Sequence, residues 1–217
     1  LNWDVYPCAC SRSEIATVTD RVSVDGGLVY PGTCRAGLAD GKAARAWRLR
    51  VPDREFGFVD RVQGESHQNL EREVGDFVLL RADGQYAYQL AAVVDDAAQG
   101  VNAVVRGVDL LDSTARQIGL QHVLGLPMPR YAHLPVVVNS AGEKLSKQTR
   151  APAVDPEKGA VLLAAALQFL GHTVPEDLCH GGLADFWPWA IAEWTIKRVP
   201  AVRAIFPGSP FVAGANT

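Results

Sequence analysis

Between Asp76 and Val138 the sequence switches repeatedly between strand-like and helix-like patterning, and this alternation constrains the fold more than any other feature of the chain. Asp76-Phe77-Val78-Leu79-Leu80 is a short, continuously apolar run, the pattern of a strand covered on both faces. Asp83-Gly84 marks a turn. Tyr86 to Ala98 reads as a helix that stops near Gly100, and Val101 to Val105 as a strand closing on Arg106-Gly107. Ser113 can cap a helix running to about Leu124, with Gly125 as its C-terminal stop. Ala132 to Val138 is a further buried strand. Strand, helix, strand, helix, strand predicts an α/β fold with a parallel sheet. In such sheets ligands sit beyond the carboxyl ends of the strands. Arg106 and the loop 144–148 both fall just past such ends.

The flanks read differently. Residues 1–75 are irregular at first and then strand-rich, with strands predicted over Ala46–Val51 and over Gly57–Gly64. After the loop, Asp155-Pro156-Glu157 signals a helix start. Val161, Leu162, Ala165, Phe169 and Leu170 supply its apolar face and Gly171 its stop. A second helix is predicted from Ala184 to Arg198, carrying Trp187, Trp189 and Trp194, with Pro188 in its first turn or at a kink. The Gly/Pro/Ser-rich stretch from Pro207 to Thr217 is expected to fray. The segments divide as 1–75, 76–140 and 141–217, and no internal repeat is visible.

The 217 residues suffice for one large domain or two small ones, and a hydrophobic content of 48% supports a packed core. No run of eighteen apolar residues predicts a membrane-spanning helix, and the N-terminus carries no visible signal peptide. The formal net charge of −3 gives no global basic field for nucleic acid, although a local basic face can coexist with it. Met128 is the only methionine, so a preceding segment is expected.

Three constellations carry chemistry. Cys8 and Cys10 are followed by Tyr30 and Cys34. Without a secretion signal, thiols so spaced favour metal over disulfides. Three thiolates suit tetrahedral zinc; the fourth ligand is open between Tyr30, Asp25, His67 and water. In Lys144-Leu145-Ser146-Lys147-Gln148, two lysines flank a hydroxyl on a Gly-bearing loop. Such mobile point charges suit polyphosphate and can follow charge toward a leaving pyrophosphate. Arg106 at the mouth of a sheet can grip a carboxylate bidentately, with Tyr88 nearby in sequence. Asp109 could accept from ribose hydroxyls or cap a turn.

Read in order, the segments from Asp76 to Gly84, Tyr88 to Asp96, Val105 to Leu110 and Thr114 to Gln117, then His133-Leu134-Pro135 and Lys144-Leu145-Ser146-Lys147, resemble a class I aminoacyl-tRNA synthetase of the glutamyl type. The Cys-x-Cys…Tyr-x-x-x-Cys pattern, Gln148 after KLSK and a C-terminus too close to the loop for an anticodon-binding domain resemble the truncated glutamyl-queuosine tRNA(Asp) synthetase family. The resemblance spans about residues 6–200. It implies the second half of a Rossmann-type catalytic domain with a zinc-bearing insertion and a C-terminal helical domain. The family's HIGH-type half has no match here and is expected upstream.

The resemblance also implies ATP-dependent activation of L-glutamate, with magnesium, and transfer of the glutamyl group to queuosine at the wobble position of tRNA(Asp). Lys147 and Lys144 would serve catalysis, and Tyr88 and Arg106 would bind glutamate. Lys147, Asp109, His133 and Leu134 would bind ATP, and Cys8, Cys10, Tyr30 and Cys34 would hold one structural zinc. A cytoplasmic monomer is expected. Two other readings stand beside it: a fragment of a conventional glutamyl-tRNA synthetase, and a zinc-stabilised, non-catalytic RNA-binding remnant.

Overall fold

The computed structural model describes residues 4–146, 149, 151 and 153–206. Lys147, Gln148 and the stretch from Pro207 to Thr217 lie outside the described residues. The strands are β1 (Val5–Cys8), β2 (Ala46–Leu49), β3 (Glu55–Asp60), β4 (Gly64–Asn69), β5 (Phe77–Leu80), β6 (Ala103–Gly107), β7 (Arg130–Leu134), β8 (Val136–Val137) and β9 (Ala204–Ile205). The α-helices are α1 (Arg12–Val18), α2 (Leu70–Glu73), α3 (Tyr88–Ala98), α4 (Thr114–Leu124), α5 (Gly159–Phe169), α6 (Glu176–Cys179) and α7 (Leu183–Glu193). The chain forms two compact units, one of residues 1–59, 65–104 and 110–130, the other of 60–64, 105–109 and 131–217.

In the first unit, β1, β2 and β5 form an antiparallel sheet. The expected parallel sheet therefore does not include β5. The apolar run Phe77–Leu80 reads as a central parallel strand would, but its partner is β2 rather than β6, and β6 pairs instead with β7. Alternation along β1 buries Tyr6 and Cys8 on one face. The register between β2 and β5 shifts between Trp47 and Arg48, and such bulges re-aim side chains. The stretch after Cys10, expected to be irregular, holds α1. Ser11 accepts from the Glu14 amide while Glu14 accepts from the Ser11 amide, a capping box. The helices α3 and α4 pack together, and Gly125 closes α4 in the left-handed conformation expected of it (φ +64°).

The predicted strand Gly57–Gly64 is a strand plus a turn. Asp60 Oδ1 accepts from the amides of Val62 and Gln63, each at 2.9 Å, and so bends the chain after β3.

In the second unit, the predicted strand Ala132–Val138 divides at Pro135, which cannot donate to a ladder. Beyond it, β8 pairs in parallel with β9. Asp155 caps a 3₁₀ turn, Pro156–Lys158, that leads into α5. The predicted helix Ala184–Arg198 ends at Glu193, with Pro188 inside it. Its continuation is interrupted because His172 Nε2 accepts from the Thr195 amide at 3.1 Å while the imidazole stacks on Trp194. Phe186, fully buried, anchors a core with Ala164, Val174 and Ala190.

Candidate active site and metal centre

Cys8, Cys10 and Cys34 bring their sulfurs within 4.8 Å of one another. Cys10 and Cys34 are 3.6 Å apart, and the Tyr30 hydroxyl stands 3.4 Å from Cys8 and 3.6 Å from Cys10. Ligands about 2.3 Å from a tetrahedral ion stand about 3.8 Å apart, so four donors at this spacing fit a single zinc-sized ion. Local chain geometry builds the cluster. Cys8 comes from the buried face of β1, while a turn closed by the Arg35 amide on the Gly32 carbonyl lets the Cys34 amide donate to Tyr30 Oη at 3.0 Å. A backbone bridge to Gly75 fixes Tyr30. Gly75 has φ +74°, and a Cβ there would lie 2.8 Å from the Tyr30 main chain, so no larger residue fits. Asp25 and His67, the other candidates for a fourth ligand, are not in the cluster; Asp25 pairs with Arg116 at 2.6 Å.

The cluster's charge is managed by Arg48, which sequence reasoning missed. Its Nε donates to Cys8 Sγ at 3.3 Å and its guanidinium lies 3.8 Å from the centre of the Tyr30 ring. Burial alone would raise the Cys8 thiol. The hydrogen bonds of Tyr30, Arg48 and the Cys10 amide outweigh it and bring the thiol below its ordinary range. Burial, with thiol neighbours, pushes Cys10 and Tyr30 up. Arg48 Nη1 also donates to the Asp76 carbonyl at 2.8 Å.

Asp76 is itself a hub. Its carboxylate accepts from Tyr6, from the Val51 amide at 3.0 Å and from Arg35 through Nε at 2.7 Å and Nη2 at 2.8 Å. Burial opposes its ionisation, but these donors hold its pKa below the usual carboxylate value.

In the second unit, Arg106 near the end of β6 has its guanidinium 5.6 Å from the Tyr131 ring centre, and its Nε donates to His133 Nε2 at 2.9 Å. His133 is fully buried. Its Nδ1 lies 2.6 Å from Asp60 Oδ2, and its amide donates to Asp60 Oδ1 at 3.1 Å. Gln63 Nε2 donates to its carbonyl at 2.9 Å. Burial above all, with the Arg106 charge, depresses the His133 pKa despite Asp60. Burial resists ionisation of Asp60 as well, but its amide and histidine donors bring its pKa below the usual value. The imidazole expected to meet ATP therefore has both ring nitrogens engaged inside the protein.

Leu134 packs on the buried cluster of Val62, Ala132 and Val199. Lys144, paired across a hairpin with Val138, reaches Asp109 Oδ2 at 2.6 Å. A Cβ on Gly107 would collide with that aspartate's carboxylate, so the glycine makes room for it. Arg106, Asp109, His133 and Lys144 thus belong to one unit. Tyr88, half exposed, opens α3 in the other unit, and Lys147 lies outside the described residues. Asp60 and Asp76 were also missed. Only Asp60 carried a signal, the polar stretch Asp60–Gly64 inside an otherwise strand-like run.

Residues 33–160 match the family described as tRNA synthetases class I (E and Q), catalytic domain. The chain belongs to this family. It is 61% identical over 196 residues to a glutamyl-Q tRNA(Asp) synthetase of Dechloromonas aromatica (strain RCB), covering 90% of this chain and 65% of the relative. Proteins of the same name from Chromobacterium violaceum and Aromatoleum aromaticum are 57% and 54% identical over 90% and 94% of this chain, which covers 64% of each. The chain therefore spans about two thirds of the length of these curated relatives. In fold it is similar to a glutamate-tRNA synthetase from Elizabethkingia anophelis, with a TM-score of 0.66 at 20% identity over 93% of this chain and 48% of that one. Among the described residues no helix is long and apolar enough to cross a membrane.

Proposed function

We propose that this chain takes part in the ATP-dependent activation of L-glutamate and the transfer of the glutamyl group to queuosine in tRNA(Asp). The identity of 54–61% to relatives that carry that name supports the reading most strongly. Activating a carboxylate with ATP is in-line attack on the α-phosphate by an anion already formed at neutral pH, so it requires positioning and charge stabilisation rather than a general base. The site residues suit that task. Arg106 and Tyr88 would hold glutamate, with the guanidinium on the carboxylate that does not react. Lys147 and Lys144 would meet phosphate charge as it moves toward pyrophosphate, with Lys144 leaving its present partner Asp109 to do so. Asp109, His133 and Leu134 would line the ATP side, with magnesium accompanying the nucleotide.

Cys8, Cys10, Tyr30 and Cys34 would hold one structural zinc, which would cross-link the segment and take no part in the chemistry. The same proposal covers the division into a metal-bearing segment (1–75), the second half of a Rossmann-type catalytic segment (76–140) and a loop and helical segment (141–217), and the action of the protein as a cytoplasmic monomer.

Glutamate-dependent ATP–pyrophosphate exchange by the full gene product, without tRNA, tests the activation step. Exchange with glutamate and not with glutamine or aspartate is expected; no exchange with glutamate would leave the chain a non-catalytic member of its family.

A further inference from the structure

We infer that Asp60 and His133 are positioning residues for substrate recognition: they form a buried relay that holds the Arg106 guanidinium by its Nε edge and so sets its orientation toward a substrate carboxylate. The inference rests on the reading that Arg106 binds the glutamate carboxylate.

Its basis is the direction of each hydrogen bond. A carboxylate only accepts, so Asp60 Oδ2, 2.6 Å from His133 Nδ1, places the proton on Nδ1. The neutral ring then has its lone pair on Nε2, where the Arg106 Nε–H meets it at 2.9 Å. Asp60 cannot swing away, because its other oxygen holds three main-chain amides, those of Val62, Gln63 and His133. The ring cannot move either. It is fully buried, its residue is held at both main-chain groups, and Tyr131 stacks on it at 6.1 Å between centres. The three side chains come from the end of β3, from β7 and from β6, and the bond to Nε restricts the rotamers open to the arginine. Fixing such a group before binding reduces the ordering lost on binding. An Nε so occupied also excludes the side-on fork, in which a carboxylate takes Nε and one Nη.

Asp60→Asn tests the relay with almost no change in volume. The three amides demand that the amide oxygen occupy the Oδ1 position. The new NH₂ then faces Nδ1, and the ring must shift its proton to Nε2, where it opposes the Arg106 Nε–H. In the full gene product, Asp60→Asn and His133→Leu are each expected to raise the KM for glutamate in pyrophosphate exchange about tenfold or more, with the KM for ATP changed less than about threefold. His133→Gln, whose amide oxygen can accept from Arg106, is expected to recover much of the loss. In an Arg106→Ala background, Asp60→Asn should add nothing further. The imidazole ¹⁵N shifts should report Nδ1–H in the native protein and Nε2–H in Asp60→Asn.

If Arg106→Ala raises the glutamate KM but folded Asp60→Asn, His133→Leu and His133→Gln do not, the relay is overturned and the substrate reading stands. If Arg106→Ala leaves that KM unchanged, the substrate reading itself fails and the relay's purpose with it. A rise in the ATP KM alone would return His133 to the nucleotide and overturn the relay, as would an Nε2–H tautomer in the native protein, a measurement that needs no variant to fold.

Discussion

Asp76 and Asp60 are buried carboxylates that each gather several donors. Removing Asp76 strands Arg35 and Tyr6. Loss of one partner from a buried pair costs roughly 3–5 kcal/mol. Arg35 is about a quarter exposed and keeps Glu71 at 3.0 Å, so Asp76→Ala should cost about 3 kcal/mol, at the low end of that range, measured by urea unfolding.

The pair at His133 makes stability depend on pH. Its folded pKa lies below the free value of 6.5, so as pH falls through 6.5 the unfolded chain takes up a proton before the folded one does, and stability drops by at most about 1.4 kcal/mol per pH unit. Asp60, also depressed, contributes stability that is full above the ordinary carboxylate value of 3.8 and is lost as pH falls through its folded value. Melting temperature should therefore decline between pH 7 and pH 5 in the native protein, and decline less in His133→Gln. Neither carboxylate's role was legible in the sequence. Their side-chain partners lie 73 residues away for Asp60 and 70 and 41 residues away for Asp76, and no local pattern encodes such pairs. The position of Arg106 near the end of β6 was legible because the end of a strand at Gly is a local signature.

Among the elements, helices α3, α4 and α5 end at their glycine stops, Gly100, Gly125 and Gly171, all with positive φ, since such a stop acts within a turn; the expected Ser113 cap of α4 is not made, because Ser113 is helical and its side chain makes no capping bond. Strand partners are another matter. The run Phe77–Leu80 specifies a buried strand but not whether β2 or β6 lies beside it, and the division of the 132–138 run at Pro135 emerges only once β9 claims Val136 and Val137. The cysteine spacing was readable as a cluster that could hold a metal ion, and Tyr30 falls beside Cys34 because the turn between them is local.

If the cluster binds zinc, purified protein should contain about one zinc per chain, as a single tetrahedral site requires. Chelation should then loosen β1, α1 and the 28–36 stretch first, seen as faster amide exchange there than in α5 and α7. Gly75→Ala should act in the same direction. The left-handed φ and the 2.8 Å approach to Tyr30 force the main chain apart, and zinc should leave to a chelator faster than from the native protein. Unchanged release would mean that Tyr30 is not a ligand.

For the whole molecule, the visible residues divide the chemistry in a way that predicts kinetics. Arg106 should discriminate the amino acid. Leaving a partly buried carboxylate unpaired costs roughly 2–5 kcal/mol, so Arg106→Ala should weaken glutamate use by tens-fold or more with little change for ATP. Arg106→Lys should recover only part, since an ammonium lacks the fork. Lys147→Ala should slow adenylation by about a hundredfold, the scale of a lost transition-state donor.

Activation of glutamate alone would fit any glutamyl-type synthetase; the acceptor separates them. The deciding measurement is transfer of radiolabelled glutamate by the full gene product to tRNA(Asp) with and without queuosine, alongside tRNA(Glu). Label on queuosine-bearing tRNA(Asp) alone is the expected result. Label on tRNA(Glu), or equal labelling of tRNA(Asp) whether or not queuosine is present, would contradict it.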